Sequence, residues 1–181
     1  MVQQNSYEET LEDWISDEKA AIELINLIGR LWFNKSVELI LFRNKLFDRN
    51  SSQILKLHQY ARNFVKQPIT VQDTLLLAAE LNDLHLAPAR LDIGRLASEW
   101  LSERLSFNND ISRFVQAKMA DMIGDDKINL KPKDVVLYGF GRIGRLAARE
   151  LVEQAGRGEQ LRLRAIVTRD KKPEDLIKRA A

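Results

Sequence analysis

The sequence predicts a mainly α-helical N-terminal part over residues 1–130, followed over 131–181 by the start of an open α/β domain in the order β-α-β-α. Three observations carry this. Apolar residues recur at three- and four-residue steps through positions 8–123. The segment GDDKINLKPKD, 124–134, is charged, contains Pro132 and precedes a change of period. Beyond it two short apolar runs, DVVLYGF and LRLRAIV, flank one helical pattern.

The first helix is read in EETLEDWISDEKAAIELINLIGRLW, where Leu11, Trp14, Ile15, Ile22, Ile25 and Ile28 share one face and Ser6 offers a start signal. SVELILFRNKLF is read as continuing that stripe through Val37, Leu41 and Phe42. The serines of DRNSS are expected to cap QILKLHQYARNFV, which Pro68 should end; Thr70 should cap VQDTLLLAAELNDLHL. LAPARLDIGRLASEWLSERL places Pro88 near a first helical turn, and NNDISRFVQAKMADMI closes the series at Gly124. No strand alternation stands out before residue 134. Trp14, Trp32 and Trp100 are expected in the core, and His58 and His85 at surface or half-buried positions, since neither has partners at metal-ligand spacing.

Composition narrows the functional classes. The chain has no cysteine, which excludes disulfides, thiolate metal sites and a cysteine nucleophile within these residues. The N-terminus has no apolar core of a signal peptide, and no run of about 18 apolar residues spans a membrane. A cytoplasmic location without membrane or nucleic-acid partners is the expectation. The net charge is +2, but it is split: residues 1–130 carry −4 and residues 131–181 carry +6. The net acidic helices argue against a helix-turn-helix nucleic-acid binder. The basic segment suits an anionic small ligand, or a surface with acidic partners elsewhere.

That segment holds Gly139, Gly141 and Gly144 in the pattern G-x-G-x-x-G between a strand and a helix. Each spacing has a mechanical reason in a Rossmann-type dinucleotide-binding unit. The first glycine turns the chain off the strand, the second lets backbone approach a pyrophosphate, and the third lets the helix pack close. The helix RIGRLAARELVEQAG then aims free N–H groups at the phosphates, with Ile143, Leu146, Ala147 and Leu151 read as its inward face. Asp170 follows the second strand, 26 positions after Gly144, near the spacing of a ribose-binding carboxylate. Asp170 favours NAD; Arg169 beside it keeps NADP open.

The string GFGRIGR, 139–145, resembles the nucleotide fingerprint of phosphorying glyceraldehyde-3-phosphate dehydrogenases, and AIVTRD, 165–170, is similar to that family's second strand. Phe140, Arg142, Ile143 and Arg145 make the match more specific than glycines alone. The resemblance covers about residues 134–175. It implies that the Arg142–Ile143 backbone contacts the cofactor pyrophosphate and that Asp170 holds the adenosine ribose. It further implies oxidation of an aldehyde phosphate to an acyl phosphate with NAD and inorganic phosphate, through a cysteine nucleophile and a histidine base. This chain has no cysteine and no histidine after His85. It therefore reads as the N-terminal, cofactor-binding portion of a longer oxidoreductase with a helical extension, a missing catalytic domain and a homo-oligomeric full-length form. Alone it is expected to be inactive. The alternative is a non-catalytic helical regulator with a nucleotide-binding appendage.

Overall fold

The structure, a computed structural model, describes residues 6–63, 65–124, 131–156, 158, 160–169, 174 and 177. The chain divides into two compact units, Met1–Ile128 and Asn129–Ala181. It is mostly helical, with a small mixed sheet in the first unit and a parallel pair of strands in the second.

The first unit begins with α1, Tyr7–Lys35. Ser6 and Glu9 form a complete capping box: Ser6 Oγ accepts from the Glu9 amide and Glu9 Oε2 from the Ser6 amide. Ser36, in the left-handed region at φ 54°, ends the helix. The following residues do not continue the helical stripe. Val37–Leu41 is β1, a two-residue turn at Phe42 and Arg43 follows, and Asn44–Lys45 is β2. Both turn residues have positive φ, the twist a tight hairpin demands. Val37, Leu39 and Leu41 are buried, at spacing two rather than four, which is why the helical reading fails there.

The remaining elements complete one core. α2 is Ser51–Ala61, α3 is Val71–Asp83, β3 is Ala89–Asp92, α4 is Ile93–Glu103 and α5 is Ile111–Lys118. β3 pairs in parallel with β1, Val37 opposite Ala89, so the sheet order is β2-β1-β3. The expectation of an all-helical first part is corrected by this three-stranded sheet. Pro88 precedes β3 rather than opening a helix, and the cap of α4 is Asp92, whose Oδ1 accepts from the amides of Gly94, Arg95 and Phe42. Asn50 rather than a serine caps α2, which stops at Ala61, well before Pro68; Thr70 caps α3 as its sequence suggests. Gly124, at φ 122°, follows a 3-10 turn over Ala120–Met122 that trails α5.

The core of this unit gathers Leu24, Ile28 and Leu31 of α1, Leu77 and Leu81 of α3, Ile93 and Trp100 of α4, and Phe114 of α5. Trp100 and Phe107 both pack against the Phe114 ring, at 5.2 and 5.3 Å between centroids. Trp32 and Trp100 are buried, but Trp14 is 57% exposed. Its helical spacing is real, but it stands at the rim of a pocket it shares with Leu55, His58 and Val71 rather than inside the core. His58 is fully inside, not at the surface: Nδ1 lies 2.9 Å from the Ile54 carbonyl oxygen and Nε2 2.8 Å from Thr74 Oγ1.

The second unit is built of β4, Lys133–Tyr138, α6, Arg142–Glu153, and β5, Leu161–Val167. β4 and β5 run parallel, Lys133 opposite Leu161 and Tyr138 opposite Val167, with an irregularity between Val135 and Val136. The helix expected over 172–181 lies outside the described residues except Glu174 and Ile177, which are helical.

Candidate functional site

The glycine turn is where β4 hands over to α6. Gly139 sits at φ 104°, a conformation that strains any residue with a Cβ. Its amide donates to the Val167 carbonyl at 2.7 Å, which ties the turn to the end of β5. Gly144 lies in the first turns of α6, where a Cβ would overlap the carbonyl oxygen of Gly139 and come within 3.1 Å of its carbonyl carbon. The strand-to-helix approach therefore closes to backbone distance, and only glycine permits it.

Gly141 is different. A Cβ there would meet no atom of the described residues within 4 Å. Gly141 is the N-cap of α6, and no side chain caps that helix. The first amides of α6 thus face an open space without a side-chain acceptor. That space is a cleft of about 420 Å³ lined by Tyr138, Gly139, Phe140, Gly141, Val167, Thr168 and Arg169. A helix N-terminus with positive dipole and bare amides, facing room that a side chain at 141 would narrow, fits a phosphate-bearing ligand.

The predicted residues fall as follows. Gly139, Phe140 and Gly141 line the cleft; Arg142, Ile143 and Gly144 form the first turn of α6 beside it. Arg142 and Ile143 are exposed, Ile143 at 83%. Asp170 lies outside the described residues, so the carboxylate's place relative to the cleft is not part of this geometry. The reading of the inward face of α6 is corrected: Ala148 is its buried residue, with Gly144, Ala147 and Leu151 half-covered, while Ile143 and Leu146 point to solvent. Two strands present too little surface to cover the whole apolar arc of the helix.

The cleft also enlists Tyr138, Val167 and Thr168, which motif reading passed over. Their signal is positional: all stand at the carboxyl ends of adjacent parallel strands, where open α/β sheets form their ligand crevice. Arg169 brings a cation to the same rim.

No family model matches the chain. It is 37% identical over 161 residues to a glyceraldehyde-3-phosphate dehydrogenase-like protein of Pseudomonas aeruginosa (strain UCBPP-PA14), an alignment covering 87% of this chain and 34% of that protein. The chain spans about a third of the length of the curated relative it matches. An alignment of 161 residues is longer than either compact unit, so the similarity extends into both the helical part and the glycine turn, and the chain is related to a glyceraldehyde-3-phosphate dehydrogenase-like protein across both.

Proposed function

We propose that this chain is the cofactor-binding portion of an NAD(P)-dependent oxidoreductase of the glyceraldehyde-3-phosphate dehydrogenase type, built as a Rossmann-type domain. The observation that carries this is the pairing of constraints in the turn. Gly144 is demanded by contact with Gly139, whereas among the described residues no atom demands glycine at 141. A requirement set by a ligand rather than by packing accounts for the second case, and a diphosphate meeting the α6 amides supplies it.

The residues that would hold the dinucleotide are the backbone of Gly139–Gly144, with Phe140 and the end of β5 forming the walls. Asp170 would accept from the adenosine ribose, and its carboxylate favours NAD, while Arg169 leaves room for NADP. The nicotinamide would supply the hydride acceptor. Oxidation of an aldehyde phosphate to an acyl phosphate needs a thiol that this chain lacks, so the chemistry belongs to further residues of the kind that make up the remaining two thirds of the relative's length.

Isothermal titration of the chain with NAD and with NADP tests the reading. The expected outcome is saturable binding, NAD tighter than NADP, lost in Gly141→Val, whose Cβ would meet no described atom within 4 Å while its branches narrow the cleft. Equal affinity of Gly141→Val and the parent chain would sink it. The purified chain should show no aldehyde-dependent reduction of NAD.

A further inference from the structure

We propose that the first unit holds a binding site for a small apolar α-amino acid, in the pocket between α1, α2 and the start of α3. The pocket has a volume of about 120 Å³, and every residue lining it belongs to this one unit. That is well below the roughly 300–1,000 Å³ of sites for drug-sized ligands, so the occupant is small. The buried part of the lining is largely apolar: Ile69 and Val71 are 1% and 3% exposed, with Leu55 half-buried. His58 is buried there too, but both its ring nitrogens are engaged, by the Ile54 carbonyl and by Thr74 Oγ1. The accessible part of the lining is of another kind, with the indole of Trp14 and two opposite charges, Asp17 and Arg62.

Those charges share one pocket without meeting. Asp17 lies on α1 one turn beyond Trp14, and Gln72 Nε2 donates to its Oδ1 at 2.8 Å. That bond holds the carboxylate in place and leaves Oδ2 without a donor among the described residues. Arg62 ends α2, and its guanidinium forms no ion pair among the described residues. A guanidinium and a carboxylate within reach of each other close into a charge-assisted pair. Here they stand apart beside an apolar floor, so each is left to pair with a group that enters the pocket. An α-amino acid brings both groups on one carbon. Its ammonium would donate to Asp17, its carboxylate would accept from Arg62, and its side chain would rest on Leu55, Ile69 and Val71 beside the Trp14 ring. A plain anion would satisfy Arg62 but be repelled by Asp17, and a plain amine would meet the reverse.

Trp14 reports occupancy. It is 57% exposed, whereas Trp32 and Trp100 are both buried, so a ligand in this pocket changes the emission of Trp14. The whole chain is titrated with L-valine and, at equal ionic strength, with isovalerate and isobutylamine, which are valine without its ammonium and without its carboxylate. The expected result is a saturable change with valine, at least about tenfold tighter than with either analogue. Arg62→Gln should weaken valine at least about tenfold and leave isobutylamine unchanged. Asp17→Asn, which keeps an acceptor for Gln72, should weaken valine without weakening isovalerate. Circular dichroism should show both variants folded; should Asp17→Asn unfold, Arg62→Gln, at an exposed position, decides alone. A parent chain without a saturable response to valine would overturn the proposal, and so would isovalerate or isobutylamine binding as tightly as valine. Valine affinity unmoved in Arg62→Gln, or an emission change that persists in Trp14→Phe, would overturn it as well.

Discussion

The two units reach their shapes by different means. In the first, a contiguous cluster of buried side chains from α1 to α5 holds every element in place. In the second, Ala148 is the sole buried residue among those described, and Val136, Tyr138, Ile143, Leu146 and Val152 stand in solvent. Its geometry is written instead into backbone: a left-handed glycine, a helix start without a side-chain cap, and a parallel strand pair. The difference teaches that in the first unit side-chain packing fixes the elements, while at the glycine turn of the second the main chain itself sets the geometry.

The sharpest way to break that contrast is to cut one apolar side chain in each unit. Phe114→Ala should cost about 3–5 kcal/mol, because a fully buried ring leaves a cavity between Trp100 and Phe107. Leu146→Ala, at a 64% exposed position, should stay within about 0.5 kcal/mol. Urea denaturation followed by circular dichroism reads both; comparable losses would show that the second unit hides a core as dependent as the first.

Glycine substitutions come next. Gly144→Ala drives a methyl into the Gly139 carbonyl and should cost about 1–3 kcal/mol of stability. Gly29→Ala, in the middle of α1 with no atom within 4 Å of the new methyl, should instead gain about 0.5–1 kcal/mol. Melting temperatures of the two variants should move in opposite directions.

A smaller effect separates the units by pH. Burial holds the His58 imidazole below its ordinary pKa, against the raising influence of its bond to Ile54 and of Asp17 and Asp73. The unfolded chain thus takes up this proton at higher pH than the folded one. The stabilising contribution is present above the ordinary histidine value and is lost as pH falls from it toward the lower folded value. Stability of the first unit should decline as pH falls below the ordinary histidine range, and His58→Gln should flatten that slope. A slope unchanged in His58→Gln would assign the titration elsewhere.

Much of this was legible in residue pattern. Ser6 and Thr70 announce helix starts because their hydroxyls can reach only the amides ahead of them. The turn at 139–144 is readable because two of its glycines answer separate geometric needs, Gly139 a left-handed φ and Gly144 a close approach to the Gly139 carbonyl. What escaped was the sheet of the first unit. VELIL is five residues long and follows a helix rich in apolar side chains, so periods of two and four both fit it. Only its pairing with Ala89–Asp92, some fifty positions away, decides the matter, and local pattern carries no record of such partners. Trp14 shows the complementary gap: periodicity tells which side of a helix is apolar but not whether anything lies against it. The converse holds for Tyr138, Val167 and Thr168, which acquire a role in the cleft only from standing side by side at strand ends.

Among the described residues β4 and β5 pair with each other in parallel, and Lys133 to Tyr138 run beside Leu161 to Val167. Arg162 and Arg164 of β5 both reach across to the carboxylate of Asp134 on β4, at 2.8 and 3.4 Å, so charge clasps the two strands where the backbone already pairs them.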